Sequence, residues 1–172
     1  VASATFWDNF NGSRNPAWHD QRIATRAENG KLVADCTSGN MNLVTLDNFS
    51  QTDVQVSVNA QTSSQFGIVL RFTNTSNYVL AYYAAGQIKF YEVSGGSSGN
   101  ALGTVSASLL GTDVRMTASV SGTLASMTIT DGSQPYTTSC TLNSRLGAGT
   151  VGVYHNTAAG TTPEYFDNFL VY

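Results

Sequence analysis

The sequence carries little charge, and that scarcity excludes several classes of function. Asp, Glu, Lys and Arg make up 11% of the 172 residues, against about 25% in an average globular chain. The net charge of −3 supplies no basic patch, so binding to nucleic acid is excluded. No apolar run is long enough to cross a bilayer, so we expect no membrane partner either.

Cysteine is also scarce, with Cys36 and Cys140 as the two cysteines of the chain. They form no Cys-x-x-Cys motif, which argues against a zinc site built from thiolates. Ser, Thr, Asn, Gly and Gln fill the surface in place of charge, a composition typical of extracellular β proteins. We therefore expect a secreted or cell-surface monomer in which Cys36 and Cys140 form a disulfide. The alternative is two buried free thiols.

The chain also lacks any useful segment of helical periodicity. Hydrophobic residues make up 41% of it, enough for one β-sandwich domain spanning residues 1–172. Turn signals such as Asn29-Gly30 separate short runs of strand-forming residues. The predicted strands are Ala4–Phe10, Ile23–Glu28, Lys31–Thr37, Asn42–Thr45, Thr52–Ala60, Phe66–Phe72, Tyr78–Ala84, Gln87–Val93, Ala101–Val105, Val114–Ser119, Thr123–Thr130, Tyr136–Leu142, Gly149–His155 and Tyr165–Tyr172.

Alternation within these strands assigns side chains to the core or to the outside. In Phe66–Phe72 the pattern places Phe66, Ile68, Leu70 and Phe72 in the core, and Gly67, Val69 and Arg71 outside. The same reasoning directs Val151, Val153 and His155 inward, and Thr150, Gly152, Tyr154 and Asn156 outward. The outward sets include aromatic and polar side chains that a core does not need.

An aromatic-Asp-Asn-Phe unit occurs near both ends of the chain, as Trp7-Asp-Asn-Phe10 and Phe166-Asp-Asn-Phe169. This repetition suggests that the first and last strands lie side by side in one sheet. Together with the segments quoted at the end of this paragraph, it resembles the concanavalin A-like lectin/glucanase superfamily, in its laminin-G-like and carbohydrate-binding-module branches. The resemblance implies an all-β jelly roll of two antiparallel sheets, with sugar bound across one sheet or its rim loops. The matching segments are Asp8-Asn-Phe10 with Trp18, Glu28-Asn-Gly-Lys-Leu32, Asp53-Val-Gln-Val-Ser-Val58, Gly67-Ile-Val-Leu-Arg71 with Asn77-Tyr78, Gly86-Gln-Ile-Lys-Phe90, Asp131-Gly132, Gly149-Thr-Val-Gly-Val-Tyr154 and Phe166-Asp-Asn-Phe-Leu-Val171.

The sequence offers little to a catalytic interpretation. A retaining glucanase needs two carboxylates about 5–5.5 Å apart, yet the glutamates Glu28, Glu92 and Glu164 are isolated in the sequence. A polysaccharide lyase needs a His or Tyr base beside a group that neutralises a uronate. His155 and Tyr154 supply those residue types, but adjacent residues of a strand point to opposite faces. We favour His155 as a structural residue.

A carbohydrate-binding surface requires fewer specifically placed groups than a catalytic site does. Aromatic rings stack on sugar rings, and amide or guanidinium groups bind sugar hydroxyls. Any one of these side chains could instead be structural, and Trp18 could be a core residue. The candidates are Arg71, Tyr82, Tyr91, Tyr154 and Asn156 on an exposed sheet face, with Trp18 and His19 on a rim loop.

The resemblance further implies a structural calcium ion where the terminal strands meet. The matching positions are Asp8 or Asn9, Gly30 and Asp167, which offer the oxygen ligands that Ca²⁺ prefers. The alternative is that Asp167 and Asn168 cap the last strand through local hydrogen bonds.

We therefore expect a secreted module of a larger polysaccharide-active protein that binds a neutral or weakly charged glycan without cleaving it. Two alternatives remain open, a glycan lyase or hydrolase on the same face and a laminin-G-like adhesion module.

Overall fold

A computed structural model describes residues 4–22, 24–34, 42–61, 65–143, 146–156 and 163–172. Fifteen β-strands and no helix occur in these ranges, so no described helix is long and apolar enough to cross a membrane. The strands are β1 Phe6–Asp8, β2 Trp18–Asp20, β3 Thr25–Glu28, β4 Lys31–Ala34, β5 Asn42–Leu46, β6 Val54–Gln61, β7 Gln65–Asn74, β8 Asn77–Ala84, β9 Gln87–Val93, β10 Leu102–Ser106, β11 Asp113–Ser121, β12 Leu124–Thr130, β13 Tyr136–Thr141, β14 Thr150–Asn156 and β15 Glu164–Val171.

The described strands form two sheets in which every pair is antiparallel. Sheet 1 has the order β13-β12-β11-β6-β15-β4-β3, and β1 also pairs with β15. Sheet 2 has the order β10-β9-β8-β7-β14-β5-β2. Because β1 pairs with β15, with Phe6 opposite Val171, the chain ends lie side by side as the repeated motif predicts. The all-β, two-sheet sandwich is confirmed.

The core lies between the two sheets and follows the predicted alternation except at Arg71 and Phe72 of β7. On sheet 1 the inward residues of β6 and β11 are Val and Ala apart from Met116, whereas β7 of sheet 2 contributes Phe66, Ile68 and Leu70, each fully buried. Burying a side chain of this size stabilises the fold by about 1.5–3 kcal/mol. The Asn29-Gly30 turn also forms as predicted, with positive φ at both residues joining β3 to β4.

Trp18 is part of this core and does not lie on a rim loop, which corrects one candidate contact. Its ring centroid lies 4.8 Å from that of Phe169 and 5.6 Å from that of Phe10. Its indole Nε1 donates a 2.8 Å hydrogen bond to Asp8 Oδ2, which satisfies the one polar atom of a buried tryptophan. Phe10 and Phe169, one from each end of the chain, therefore pack against Trp18, which belongs to the short edge strand β2.

Arg71 is the second predicted sugar contact that the structure places elsewhere, because a bulge breaks the alternation of β7. Arg71 adopts φ 51°, and the register of β7 with β8 and β14 shifts around it. Its side chain is 3% exposed and donates to the backbone oxygens of Thr52 at 2.6 Å and Gly122 at 2.8 Å. Arg71 thus ties two loops together at one end of the sandwich. Phe72 moves to the outer side of sheet 2, where it packs with Tyr78.

The predicted disulfide is not supported. Cys36 lies outside the described residues, and Cys140 is a free cysteine on β13. Cys140 of β13 pairs with Ala125 at one edge of sheet 1, whereas Ala34, the last residue of β4, pairs with Glu164 of β15 near the other edge. Five strand spacings of about 4.8 Å separate β13 from β4, while bridged Cα atoms lie within about 7 Å.

Candidate functional site

The outer side of sheet 2 carries a cluster of aromatic side chains, which we call the tyrosine face. Strand register places Tyr154 of β14, Gly67 of β7 and Tyr82 of β8 in one row across the sheet. Tyr91 of β9 lies in the next row. Glycine leaves the space above β7 open, so the rings of Tyr82 and Tyr154 meet edge to face with centroids 5.4 Å apart. The face consists of Phe72, Tyr78, Tyr82, Tyr91 and Tyr154.

Tyr82 and Tyr154 form the floor of this face and are not an exposed platform. They are 7% and 4% exposed, which is too little for either ring to stack on a sugar in this conformation. Burial raises the pKa of Tyr82 to about 12 and raises the pKa of Tyr154 further, so both hydroxyls stay protonated at neutral pH. Tyr82 donates its hydroxyl proton to Gln65 Oε1, and the nearby Asn156 side chain partly offsets the rise in the pKa of both tyrosines.

Half-buried and charged groups border the floor. Tyr91 is half-buried, with its ring centroid 6.2 Å from that of Tyr82 and 5.9 Å from the Lys89 ammonium. Arg22, which is exposed and follows β2, lies near enough to Tyr78 and Tyr154 to oppose the rise that burial causes in their pKa values. Sequence reasoning missed Arg22 and Lys89, because the pattern of one strand does not show which loop or neighbouring strand reaches a ring.

An open cavity of about 410 Å³ adjoins the tyrosine face, which we call the side cavity. Thr45 of β5 and Thr150 of β14 project from the outer side of sheet 2 into its floor, next to Phe72. Gln21 Nε2 donates a 2.9 Å hydrogen bond to Thr45 Oγ1 at the wall. The wall is completed by the turn at residues 47–50, which includes Asn48 and Phe49. The side cavity therefore combines hydroxyl and amide groups with two phenyl rings.

His19 lies on β2 at the edge of sheet 2, on the same outer side as the tyrosine face. It pairs with Thr45 in the register of β2 with β5, and its Nδ1 lies 3.5 Å from Asp47 Oδ1. Its side chain is 54% exposed, so it remains accessible to a ligand. Among the predicted contacts, the structure brings His19, Tyr82, Tyr91, Tyr154 and Asn156 to one side of sheet 2, and places Arg71 and Trp18 elsewhere.

His155, the candidate base of a lyase, is buried inside the sandwich. It is 0% exposed, with Nε2 3.4 Å from Glu164 Oε2 and Nδ1 3.3 Å from Asn42 Nδ2. An amide nitrogen can only donate, so Nδ1 accepts and the proton of the neutral ring sits on Nε2, facing Glu164. Burial lowers the pKa of His155 to about 4. No substrate reaches this imidazole in the described conformation, which favours the interpretation of His155 as a structural residue.

The strands and turn that carry the predicted calcium ligands adjoin one another, but the Asp8 carboxylate faces the buried Trp18, the Asp167 carboxylate faces the outer side of sheet 1, and both already have partners. β15 pairs with β4 over Glu164–Phe166 and with β1 from Phe169 onward, which places Asp8, Gly30 and Asp167 around the gap between β1 and β4. Asp8 accepts hydrogen bonds from Trp18 Nε1 and from the Phe10 amide. Asp167 accepts from the backbone and side-chain nitrogens of Asn168. Among the described residues no group of three acidic, His or Cys side chains could hold a metal, so calcium stays a prediction.

No protein-family model and no curated protein matches the chain, but solved structures do. Carbohydrate-binding module CBM66 from Bacillus subtilis superposes with a TM-score of 0.74 at 12% identity, covering 90% of this chain and 94% of that one. The lumenal domain of VIP36 in complex with Ca²⁺ and Man3GlcNAc gives a TM-score of 0.70 at 9% identity, covering 91% and 83%.

A third similar structure is the GH43 protein BlXynB from Bacillus licheniformis, with a TM-score of 0.72 at 18% identity. The match covers 96% of this chain but 38% of that one, so the chain corresponds to one part of that protein. At such low identities the likeness concerns architecture alone. The chain therefore has the concanavalin A-like jelly-roll fold that its sequence predicts.

Proposed function

We propose that the chain binds a neutral or weakly charged glycan without cleaving it, on the outer side of sheet 2. The observation that carries this proposal is the side cavity of about 410 Å³ beside the tyrosine face. Its volume falls within the range of about 300–1,000 Å³ that is usual for ligand sites. The similar structures named as a carbohydrate-binding module and as a mannose-glycan complex support the same class of ligand.

The chemistry of the side cavity suits sugar hydroxyls, which both donate and accept hydrogen bonds. Gln21 and Asn48 offer amide groups that donate and accept, and the half-buried Thr150 offers a hydroxyl. Phe49, which is half-buried, offers apolar surface for the C–H face of a sugar ring, while the buried Phe72 lies beneath it in the floor. Tyr91 extends this surface beyond the cavity, so a chain of several sugar units would run from Gln21 towards Tyr91.

Catalysis is not supported by the groups on this side of sheet 2. The carboxylate that lines the side cavity is Asp47, and glycoside hydrolysis requires a pair. His155, the imidazole nearest to Tyr154 in sequence, faces the core. We therefore assign binding and not bond cleavage to this site.

Calorimetry with xylohexaose and mannotriose tests the proposal. Mannotriose represents the mannose units named for the VIP36 complex, and xylohexaose represents the xylan named for a further similar structure, a xylan β-1,4-xylosidase from Bacillus halodurans. We expect a dissociation constant of about 10 μM to 1 mM, because an open groove keeps part of the ligand in water. Replacing Gln21→Ala or Tyr91→Ala removes one polar or one apolar contact, so each change lowers affinity at least about threefold.

Gln55→Ala is the matched control, because Gln55 is an exposed side chain on the outer side of sheet 1. It should bind both probes like the unmodified protein. Loss of affinity in Gln55→Ala but not in Gln21→Ala or Tyr91→Ala would contradict the proposed location. Shortened or unsaturated products in the mass spectrum of the incubated sugar would contradict the non-catalytic assignment.

We also infer that the protein acts outside the cell as a monomer. The low charge and the amide-rich, hydroxyl-rich surface of the sequence support an extracellular setting. Light scattering should give a mass near 18.2 kDa for this chain, and a dimer mass would contradict the inference. Fractionation of the native source should recover the protein outside the cell.

A further inference from the structure

A second cavity, of about 420 Å³, lies on the opposite side of the sandwich. We call it the trough. Its floor is formed by outward residues of three central strands of sheet 1, among them Asn59 of β6, Arg115 of β11 and Tyr165 of β15. Lys31, at the start of β4, forms one wall, and the Asp131-Gly132 turn after β12 forms the other.

The trough gathers charge in a chain that has little of it. Two of the eight cationic and three of the eleven acidic side chains of the sequence line this cavity. Beyond the trough, the outer sides of β6, β11, β12 and β13 carry mostly small hydroxyl side chains, whereas β3 at the far edge carries the exposed pair Arg26 and Glu28. The outward hydroxyl residues are Ser57, Thr117, Ser119, Ser126, Thr128 and Thr137. Solubility alone does not require long polar side chains to converge on one end of a sheet.

Several polar side chains of the trough make hydrogen bonds within the protein, which limit their motion before any ligand arrives. Lys31 Nζ donates a 2.6 Å hydrogen bond to Gln61 Oε1 and lies 5.7 Å from the centroid of the Tyr165 ring. Arg115 Nη1 donates to Asn59 Oδ1 at 3.3 Å. Asp131 accepts hydrogen bonds from Ser133 and from the backbone of Leu110 and Gly111, which hold the pKa of its carboxyl below the usual range. Side chains fixed in this way lose little entropy when they bind.

The mixture of charges selects the class of ligand. The positive charges of Lys31 and Arg115 would repel a metal ion. The negative charges of the carboxylates would repel an anion; these carboxylates belong to Asp113, Asp131 and Asp167. A neutral ligand rich in hydroxyl groups meets both kinds of partner, because each hydroxyl donates to a carboxylate or amide oxygen and accepts from an ammonium or guanidinium group. We propose that the trough is a second saccharide-binding site, which lets one domain hold two neutral glycan segments on opposite sides.

Titration of the isotope-labelled protein with xylohexaose and with mannotriose tests this proposal. We expect the backbone amide signals of Asn59, Arg115 and Tyr165 to shift with at least one probe. In Arg115→Ala the affinity read from the remaining trough signals should fall at least about fivefold, because a charge-assisted hydrogen bond is lost. Gln55 points to the same side of β6 as Asn59 but lies outside the trough. Gln55→Ala should therefore leave that affinity unchanged.

The double variant Gln21→Ala/Tyr91→Ala separates this site from the one on sheet 2. It should keep the trough shifts and their affinity while binding at the side cavity weakens. Trough signals that do not move with either probe, or that move with equal affinity in Arg115→Ala, would overturn the second site. Shifts confined to the trough would instead overturn the proposed function of sheet 2 and leave the second site standing.

Discussion

Replacing Arg71 should destabilise the sandwich strongly, although the residue looks like a surface cation in the sequence. Its guanidinium is 3% exposed and donates two short hydrogen bonds, to Thr52 O and to Gly122 O. A hydrogen bond from a charged group contributes about 1.5–3 kcal/mol, so Arg71→Ala should lower the free energy of unfolding by about 3–5 kcal/mol. Asp53, 3.4 Å away and 63% exposed, adds less than about 1 kcal/mol.

Urea unfolding measures this loss, and in a domain of this size it corresponds to a fall in Tm of roughly 10 °C. Arg71→Gly should be less damaging than Arg71→Ala by about 1 kcal/mol, because glycine adopts the positive φ of this position without strain. Arg115→Ala is the matched control: its exposed side chain should change stability by less than about 0.5 kcal/mol. If Arg71→Ala unfolded within 1 kcal/mol of the unmodified protein, the role given to the guanidinium would be refuted.

Three further predictions concern buried or paired groups. Burial lowers the pKa of His155 to about 4, below the value near 6.5 expected after unfolding. The unfolded chain therefore binds more protons between pH 4 and 6.5, so His155 makes the free energy of unfolding rise with pH across that window, by about 3 kcal/mol at most; an NMR titration with a midpoint above 6.5 would refute this. Thiol titration of the unfolded, unreduced protein should find two free thiols, whereas none would restore the Cys36–Cys140 disulfide. Native Cys140 should react slowly, because burial and then Glu92 raise its pKa to about 11. If calcium binds near Asp8, Gly30 and Asp167, a chelator lowers Tm by mass action and Asp167→Ala abolishes that difference; an unchanged Tm would rule the ion out.

Much of the fold could be predicted from the sequence, because the two-residue period and the turn residues act locally. The hairpin at Asn29-Gly30 and the pairing of the terminal strands both form as predicted. Alternation failed at Arg71, because nothing local in the sequence indicates a bulge with positive φ at an arginine. That one shift moved Phe72 to the outer side and turned Arg71 inward. β2 was missed because three residues carry too little periodicity.

The candidate site was harder to predict, because it depends on contacts between strands. Alternation correctly directed Tyr154 and Asn156 outward, yet it could not show that Tyr154 and Tyr82 meet across Gly67 and bury one another. Arg22 and the side cavity depend on where loops rise above sheet 2, which no single segment encodes. The trough likewise gathers Lys31, Arg115 and Asp131 from parts of the chain that are far apart in sequence.

The position of a bound sugar on the protein is the measurement that tests the account most directly. Backbone amide signals recorded during titration with xylohexaose and mannotriose should shift at Gln21, Thr45, Thr150 and Tyr91, around the side cavity and the half-buried end of the tyrosine face. The sugar recovered afterwards should have its original mass. Saturation with either sugar that leaves these four signals unmoved, or a recovered sugar that has been cleaved, would contradict the assignment of sheet 2 as a non-catalytic glycan-binding surface.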